Sequence, residues 1–213
     1  MREPDLKAIE LAGGFDAPIR IIPTAAAPDN NHQRAGSRGI TWFQSLGARD
    51  VLSVPLLSKI RAEDQKIAQS LREAKLIYLL GGFTHYLGQT LQGSLAWQAV
   101  LEAYKKGAVI AGSSAGAMVL CEYYYDPGPG QIHEGLGLVS NSLVLPHHNT
   151  FGKNWAPRLL GKIPDVTLIG IDEQTGMINS SGTDTWTVHG RGTVSLYARG
   201  ELSTWGRNET FSL

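Results

Sequence analysis

The stretch Ala108-Val-Ile-Ala-Gly-Ser-Ser-Ala-Gly-Ala-Met-Val-Leu120 decides the predicted fold. Its first four residues form a short apolar run, which is typical of a buried strand, and the residues after Ser114 follow a helical pattern. Between the two lies a cluster of small residues that permits a tight turn. A strand that runs through such a turn into a helix predicts an α/β protein.

Similar apolar runs recur along the chain and alternate with helical stretches. The segments 62–74 and 95–106 carry apolar residues at helical spacing, as expected of helices that cover a sheet. This alternation predicts a three-layer, mostly parallel sheet flanked by helices. The predicted strands are Ile19–Pro23, Val51–Pro55, Leu76–Leu80, Ala108–Ala111, Leu143–Leu145 and Val166–Ile171.

The pattern changes near the C-terminus. From Ser180 onward the apolar residues alternate over short segments separated by glycine-containing turns, which predicts antiparallel strands appended to the main sheet. The Gly- and Pro-rich segment 126–137 is predicted to be a loop. Because no repeat, low-complexity tract or linker interrupts the pattern, residues 1–213 are expected to form a single domain.

Composition excludes several classes of function. The 213 residues include 19 Lys and Arg against 19 Asp and Glu, so the formal net charge is zero. A neutral chain lacks the basic surface expected of a nucleic-acid or membrane-binding protein. The lone Cys121 fits a reducing compartment and is expected to be buried packing. With neither a signal peptide nor a membrane-spanning run in the sequence, a cytoplasmic location is expected. A homodimer is left open.

The segment Gly112-Ser-Ser-Ala-Gly116 matches the Gly-x-Ser-x-Gly nucleophile elbow. In such a turn the central serine projects its hydroxyl while small neighbours tolerate the strained backbone, which favours Ser114 over Ser113. The backbone N–H of Ala115 then lies at a helix N-terminus. There it has no intrahelical acceptor and is available to an oxyanion.

A serine nucleophile needs a base, and histidine is the usual one because its pKa lies near neutrality. His147 directly follows a predicted buried strand, which should bring it to the same edge of the sheet as the elbow. His189, at the end of a predicted C-terminal strand, is the main rival. No His-Glu-x-x-His or comparable spacing occurs, so neither a metal nor another cofactor is expected.

Six segments together resemble one family, the serine peptidases of the dipeptidase E and cyanophycinase type. They follow one another in the order seen there: Ile21–Ala25, Leu79–Gly82 with Thr84 and Leu87 behind it, Gly112–Ala117, Gly135–Leu138, Pro146–His147 and Gly170–Glu173. The resemblance covers nearly the whole chain. It implies a fold like that of class I glutamine amidotransferases, and hydrolysis of peptide bonds next to acidic residues or within aspartate–arginine polymers.

The resemblance also implies roles for individual residues. The nucleophile falls on Ser114 and the base on His147. His148 stays an alternative because it occupies the position of the family's aromatic residue. The N–H groups of Ala115 and Gly82 would form the oxyanion hole. The family usually follows its glycines with Asn or Asp, whereas this chain has Phe83, so a polar substrate contact is expected to be missing.

The third member of the triad is predicted to be Asp126, which ends the aromatic run 123–125 and could be held rigidly there. Three other acidic residues remain alternatives, namely Glu122, Glu134 and Glu173.

The predicted function is therefore serine-type hydrolysis of small peptides, with peptides that contain acidic residues among the candidates. Arg158 is expected to bind a substrate carboxylate, with Lys153 a weaker candidate. Two rivals remain. One is an α/β-hydrolase-like esterase that uses Asp184 and His189, and the other is a catalytically idle amidotransferase-like domain that binds an amino-acid or amide ligand. Glutaminase activity is disfavoured because the elbow carries serine.

Overall fold

The computed structural model describes residues 1–179 and 184–213, and these residues group into two compact units. One unit consists of residues 6–120. The other combines residues 1–5 with residues 121–213. The expectation of a single domain over 1–213 stays a prediction.

The unit of residues 6–120 contains a four-stranded parallel sheet with the order β2-β1-β3-β4. Its strands are β1 (Ile19–Ile22), β2 (Val51–Ser53), β3 (Leu76–Leu79) and β4 (Val109–Gly112). The helices, the first of which begins in residues 1–5, are α1 (Arg2–Leu11), α2 (His32–Ser45), α3 (Gln65–Arg72), α4 (Thr84–Leu91), α5 (Leu95–Lys105) and α6 (Ala115–Val119), with 3-10 turns at Thr24–Ala26 and Arg61–Glu63.

The central strands β1 and β3 are buried along their whole length, as expected of parallel strands with both faces covered. Helix α3 begins where the Asp64 carboxylate accepts hydrogen bonds from the N–H groups of Lys66 (2.8 Å) and Ile67 (3.4 Å). Its apolar face, which includes Ile67 and Leu71, is buried. The predicted α/β class, with a parallel sheet flanked by helices, is confirmed.

The register of β3 and β4 positions the first part of the candidate site. Leu79 pairs with Gly112, so both strands end at the same level of the sheet. The chain then leaves β3 through Gly81 and Gly82 and leaves β4 through Ser113 and Ser114. Because the strands are parallel neighbours, these two turns meet at one edge.

The unit that contains residues 121–213 has three sheets within its described part. One is mixed, with the order β12-β11-β8-β7, and one is antiparallel, with the order β13-β10-β9; a two-stranded hairpin pairs β5 with β6. The strands are β5 (Tyr123–Asp126), β6 (Gln131–Glu134), β7 (Ser142–Pro146), β8 (Thr167–Ile171), β9 (Thr175–Asn179), β10 (Thr185–Gly190), β11 (Val194–Ala198), β12 (Glu201–Trp205) and β13 (Thr210–Ser212). Helix α7 spans Trp155–Leu159 after a 3-10 turn at Phe151–Asn154.

Strands β7 and β8 are parallel, and Pro146 pairs with Ile171. The residues that follow them, His147 and then Asp172 with Glu173, therefore emerge side by side.

Two predictions about this unit need correction. The segment 126–137 is not only a loop, because Gln131–Glu134 forms β6 and pairs with β5. Strands β9 and β13 were not predicted. The predicted antiparallel C-terminal strands are confirmed as β10, β11 and β12, of which β11 and β12 extend the β7–β8 pair. Ser180, where the predicted change of pattern begins, lies outside the described residues.

In the part of the chain that the structure describes, no helix is long and apolar enough to cross a membrane.

Candidate active site

Ser114 occupies the turn between β4 and α6 with a backbone φ of 51° and ψ of −118°. A side chain with a Cβ is strained at positive φ, so the surrounding structure must impose this conformation. It does so with hydrogen bonds on both sides of the turn. The Ser113 N–H donates to the carbonyl of Leu79 (3.0 Å), and the Met118 N–H donates to the carbonyl of Ser114 (3.0 Å).

Glycines around Ser114 permit close contact between backbone segments. A Cβ on Gly116 would overlap the carbonyl of Leu79, and one on Gly112 would overlap the backbone of Gly116. A Cβ on Gly81 would lie 2.9 Å from the Ser114 Cβ, a distance that real Cβ atoms essentially never show. The glycines of both turns are therefore a steric requirement of the elbow.

The backbone N–H groups next to the elbow that have no hydrogen-bond acceptor among residues 1–179 and 184–213 include those of Gly82 and Ala115. Gly82 has a φ of 140°, and a Cβ there would overlap the backbone of Ala25. The next N–H, that of Phe83, donates to the Ala25 carbonyl (2.8 Å). Unpaired N–H donors beside a serine hydroxyl are the feature that an oxyanion hole requires.

His147 follows β7 in a left-handed backbone conformation with a φ of 55°. Its Nδ1 lies 2.8 Å from Oε1 of Glu173, and the two side chains are 29% and 46% exposed. A glutamate carboxylate only accepts hydrogen bonds, so Nδ1 must carry the proton. In the neutral imidazole this leaves Nε2 as an acceptor, the state that a general base needs.

Two further hydrogen bonds hold Glu173 in place. Its Oε1 accepts a hydrogen bond from Thr150 Oγ1 (3.3 Å), and its backbone N–H donates to Oδ1 of Asn149 (3.0 Å). The hydrogen bond from His147 is the largest cause that lowers the pKa of Glu173 below its ordinary value. The Phe151 ring packs against the imidazole of His147, and the two ring centroids are 4.7 Å apart.

Comparison with known proteins identifies the family. A model of peptidase family S51 matches residues 7–184. The chain belongs to this family. It is a serine-type peptide hydrolase of the S51 family, and the resemblance stated from its sequence is confirmed.

Similar proteins agree with this assignment. A cyanophycinase from Geminocystis herdmanii is 29% identical over 199 residues, which cover 87% of this chain and 71% of that protein. The crystal structure of a peptidase from an acI-B1 actinobacterium has a TM-score of 0.78 at 32% identity and covers 98% of this chain and 89% of its own. A Listeria monocytogenes protein named for peptidase E has a TM-score of 0.60 at 21% identity over 92% and 90% of the two chains, which shows the fold alone.

In this S51 peptidase the structure brings Glu173, and not the expected Asp126, to the imidazole of His147. Asp126 ends β5, and its Oδ1 accepts a hydrogen bond from the Gly128 N–H (3.3 Å) within the hairpin turn. Of the other acidic alternatives, Glu122 accepts a hydrogen bond from the Asn141 N–H (2.7 Å), and Glu134 lies exposed at the end of β6. The signal that could have found Glu173 is the strand register, because it follows β8 as His147 follows β7.

The alternative base of this peptidase, His148, has a different environment from His147. Its Nε2 lies 2.9 Å from the Tyr197 hydroxyl, and its ring packs so closely on Gly170 that a Cβ there would lie 2.5 Å from Cδ2. Burial lowers the pKa of His148. These contacts hold the His148 ring within the sheet, as expected of a residue that packs the structure beside His147.

The other predicted positions lie as follows. His189 is in β10, and its Nδ1 lies 3.7 Å from Oε1 of Glu3. The Glu3 carboxylate also pairs with Arg207. These contacts give no support to the hypothesis of an esterase that uses Asp184 and His189. Arg158 is exposed on α7 and has no ion-pair partner within the described ranges. Cys121 is buried as predicted, and burial raises the pKa of its thiol to about 11, which makes it a poor nucleophile.

Proposed function

We propose that the peptidase activity uses Ser114 as nucleophile, His147 as general base and acid, and Glu173 as the residue that orients His147. The Ser114 elbow carries this proposal, because its strained serine lies beside two N–H groups that lack acceptors. The hydrogen bond between His147 and Glu173 supports the choice of base. Glu173 takes the role that the sequence assigned to Asp126.

The proposed reaction is acyl transfer to water. His147 Nε2 takes the hydroxyl proton as Ser114 Oγ attacks the peptide carbonyl carbon, and the N–H groups of Gly82 and Ala115 bind the oxyanion. The C–N bond then breaks as His147 donates its proton to the leaving amine. Water, deprotonated by His147, attacks the acyl-enzyme and releases the acid with Ser114 restored.

Glu173 stabilises the charged state of His147 that forms in each half of this reaction. Its ionised carboxylate holds the proton on Nδ1, so Nε2 keeps the lone pair that accepts the serine proton. When His147 becomes an imidazolium ion, the same carboxylate provides a counter-charge 2.8 Å away.

The substrate in this proposal is a small peptide, and Arg158 binds one of its carboxylates. The exposed guanidinium, which has no ion-pair partner among the described residues, supports this role because its planar donors match a carboxylate. The proposal includes a cytoplasmic location, in accord with the single cysteine, and one catalytic domain over 1–213.

A serine-directed fluorophosphonate probe tests the nucleophile. We expect it to label the wild-type protein and Ser113→Ala, and not Ser114→Ala. Ser113 is the matched control because it is the neighbouring hydroxyl in the same turn. Equal labelling of Ser114→Ala and wild type would refute the proposal.

A peptide screen defines the substrate. Asp-X, isoaspartyl-X and X-Pro peptides, each with free and blocked termini, would be incubated with the wild type and with Arg158→Ala. We expect Arg158→Ala to raise KM for peptides with the bound carboxylate and to leave peptides blocked at that carboxylate unaffected. An equal rise in KM for the peptides with the free carboxylate and for those with the blocked carboxylate would contradict the role of Arg158.

A further inference from the structure

Phe83 is a large apolar side chain that is half exposed to water and directly follows Gly81 and Gly82, the glycines of the turn after β3. Its side chain is 51% exposed. In the unit of residues 6–120, Gly81 packs on Ser114, and the N–H of Gly82 has no acceptor among the described residues. An exposed phenyl group at this point calls for an explanation, because apolar surface in water is unfavourable.

The backbone of Phe83 is fixed relative to Ser114. Its N–H donates to the Ala25 carbonyl (2.8 Å), and the next residue, Thr84, is buried with its hydroxyl 3.7 Å from Sδ of Met118, in α6. Consecutive Cα atoms are about 3.8 Å apart, so the Phe83 Cα lies within about 7.6 Å of the Gly81 Cα. A rigid segment therefore holds the Phe83 backbone close to Gly81, which itself packs on Ser114.

The segments around Ser114 in this unit contain no charged residue. Lys, Arg, Asp and Glu are absent from 22–27, 79–84 and 112–120. An acidic substrate side chain at this position would lose its hydration without gaining a counter-charge from these segments. An apolar side chain would cover the ring and remove apolar surface from water on both partners.

We propose that Phe83 determines specificity, and that it selects peptides with an apolar side chain on the residue that supplies the scissile carbonyl. This inference rests on the proposed function, because Gly82 would bind the oxygen of that same carbonyl. The side chain next to the carbonyl then comes within reach of Phe83, the residue after Gly82. A polar residue at position 83 would lack this apolar surface.

The test compares matched peptides that differ only in the residue before the scissile bond, Leu or Asp. For the wild type we expect kcat/KM to be higher for Leu by about 10- to 100-fold, the range typical of one apolar contact. Phe83→Asn should reduce this ratio toward one, and Phe83→Leu should retain most of it.

Phe15→Asn is the control. Phe15 is also an exposed phenylalanine of this unit (47%), but it precedes β1 and so lies at the amino end of the parallel strands, opposite the elbow. We expect Phe15→Asn to keep the wild-type ratio. Thermal unfolding of Phe83→Asn, Phe83→Leu and Phe15→Asn would verify that each variant is folded.

Fluorophosphonate labelling separates the two proposals. If Ser114 is labelled in the wild type and in Phe83→Asn but both show the same Leu/Asp ratio, or if the wild type prefers Asp, the role of Phe83 is refuted and the nucleophile stands. If the probe does not label Ser114, the proposed function fails, and the inference about Phe83 fails with it.

Discussion

Candidate catalytic groups follow two pairs of parallel strands, β3 with β4 and β7 with β8. Both pairs place these groups directly after the strand ends, but the groups themselves differ in chemical type. In each pair the last residues are in register, Leu79 with Gly112 and Pro146 with Ile171. After β3 and β4 the functional groups are backbone N–H donors and one serine. After β7 and β8 they are two side chains, His147 and Glu173, joined by a hydrogen bond.

The difference explains how each pair depends on its surroundings. The turns after β3 and β4 tolerate only glycine at several positions, because backbone segments touch there. The pair after β7 and β8 depends on the direction of the His147 imidazole, which contacts the Glu173 carboxylate and the Phe151 ring. Substitutions in the turns after β3 and β4 should therefore lower activity by steric overlap. Substitutions at His147 or Glu173 should lower it by changing where the imidazole carries its proton.

The largest expected effect is the loss of the base. We expect His147→Ala to lower kcat by about 10⁶-fold, the size seen when the histidine of a serine triad is removed. His189→Ala, the control, should leave kcat unchanged because its Nδ1 lies near Glu3. Steady-state kinetics on a peptide that the wild type cleaves would measure both. If His147→Ala kept the wild-type kcat and His189→Ala lost it, the assignment of His147 as the base would be wrong.

Replacing the orienting acid should have the next largest effect. Glu173→Gln removes the carboxylate that holds the Nδ1 proton, and we expect kcat to fall by about 10³- to 10⁴-fold. Asp126→Asn is the matched control, because it makes the same acid-to-amide change in the hairpin turn. If Asp126→Asn loses more activity than Glu173→Gln, the sequence-based choice of Asp126 is right and the present one wrong.

A methyl group in the glycine turn should have a smaller effect on kcat. Gly82→Ala would place a Cβ against the Ala25 backbone and move a donor away from the oxyanion, at an expected cost of about 10²- to 10³-fold. Gly93→Ala is the control, because Gly93 also has positive φ (67°) but no atom within 4 Å of its Cβ position. Gly93→Ala with an equal loss of kcat would show that crowding at Gly82 is not the cause.

The smallest expected effect is on stability at low pH. The pKa of Glu173 is lowered in the folded state, chiefly by the hydrogen bond from His147, so its stabilising contribution is present above the unfolded pKa of about 4.3. It is lost as pH falls through the folded pKa. For a half-exposed pair this contribution should be below about 1 kcal/mol. Urea unfolding of wild type and Glu173→Gln would measure it, and a difference that grows with acidity would contradict the sign.

The elbow could be predicted from the sequence because all of its parts are contiguous. An apolar strand, a small-residue turn and a helix start lie within residues 108–120, and local sterics connect them. The carboxylate beside His147 could not be predicted in this way. Asp126 and Glu173 are both acidic residues that follow a β-like run, and only the parallel pairing of β7 with β8 distinguishes them.

The sequence by itself determined the α/β class, the serine at the centre of the elbow, the likeness to dipeptidase E and cyanophycinase, and the histidine that follows β7. These features depend on apolar periodicity and on short-range sterics, which neighbouring residues carry. Only the tertiary structure decided that Glu173 bonds to His147, that Tyr197 contacts His148 and that Asp126 lies in a hairpin. The first two depend on the register of β7, β8 and β11, which arises from contacts between residues that are far apart in the chain. The third depends on the pairing of β5 with β6.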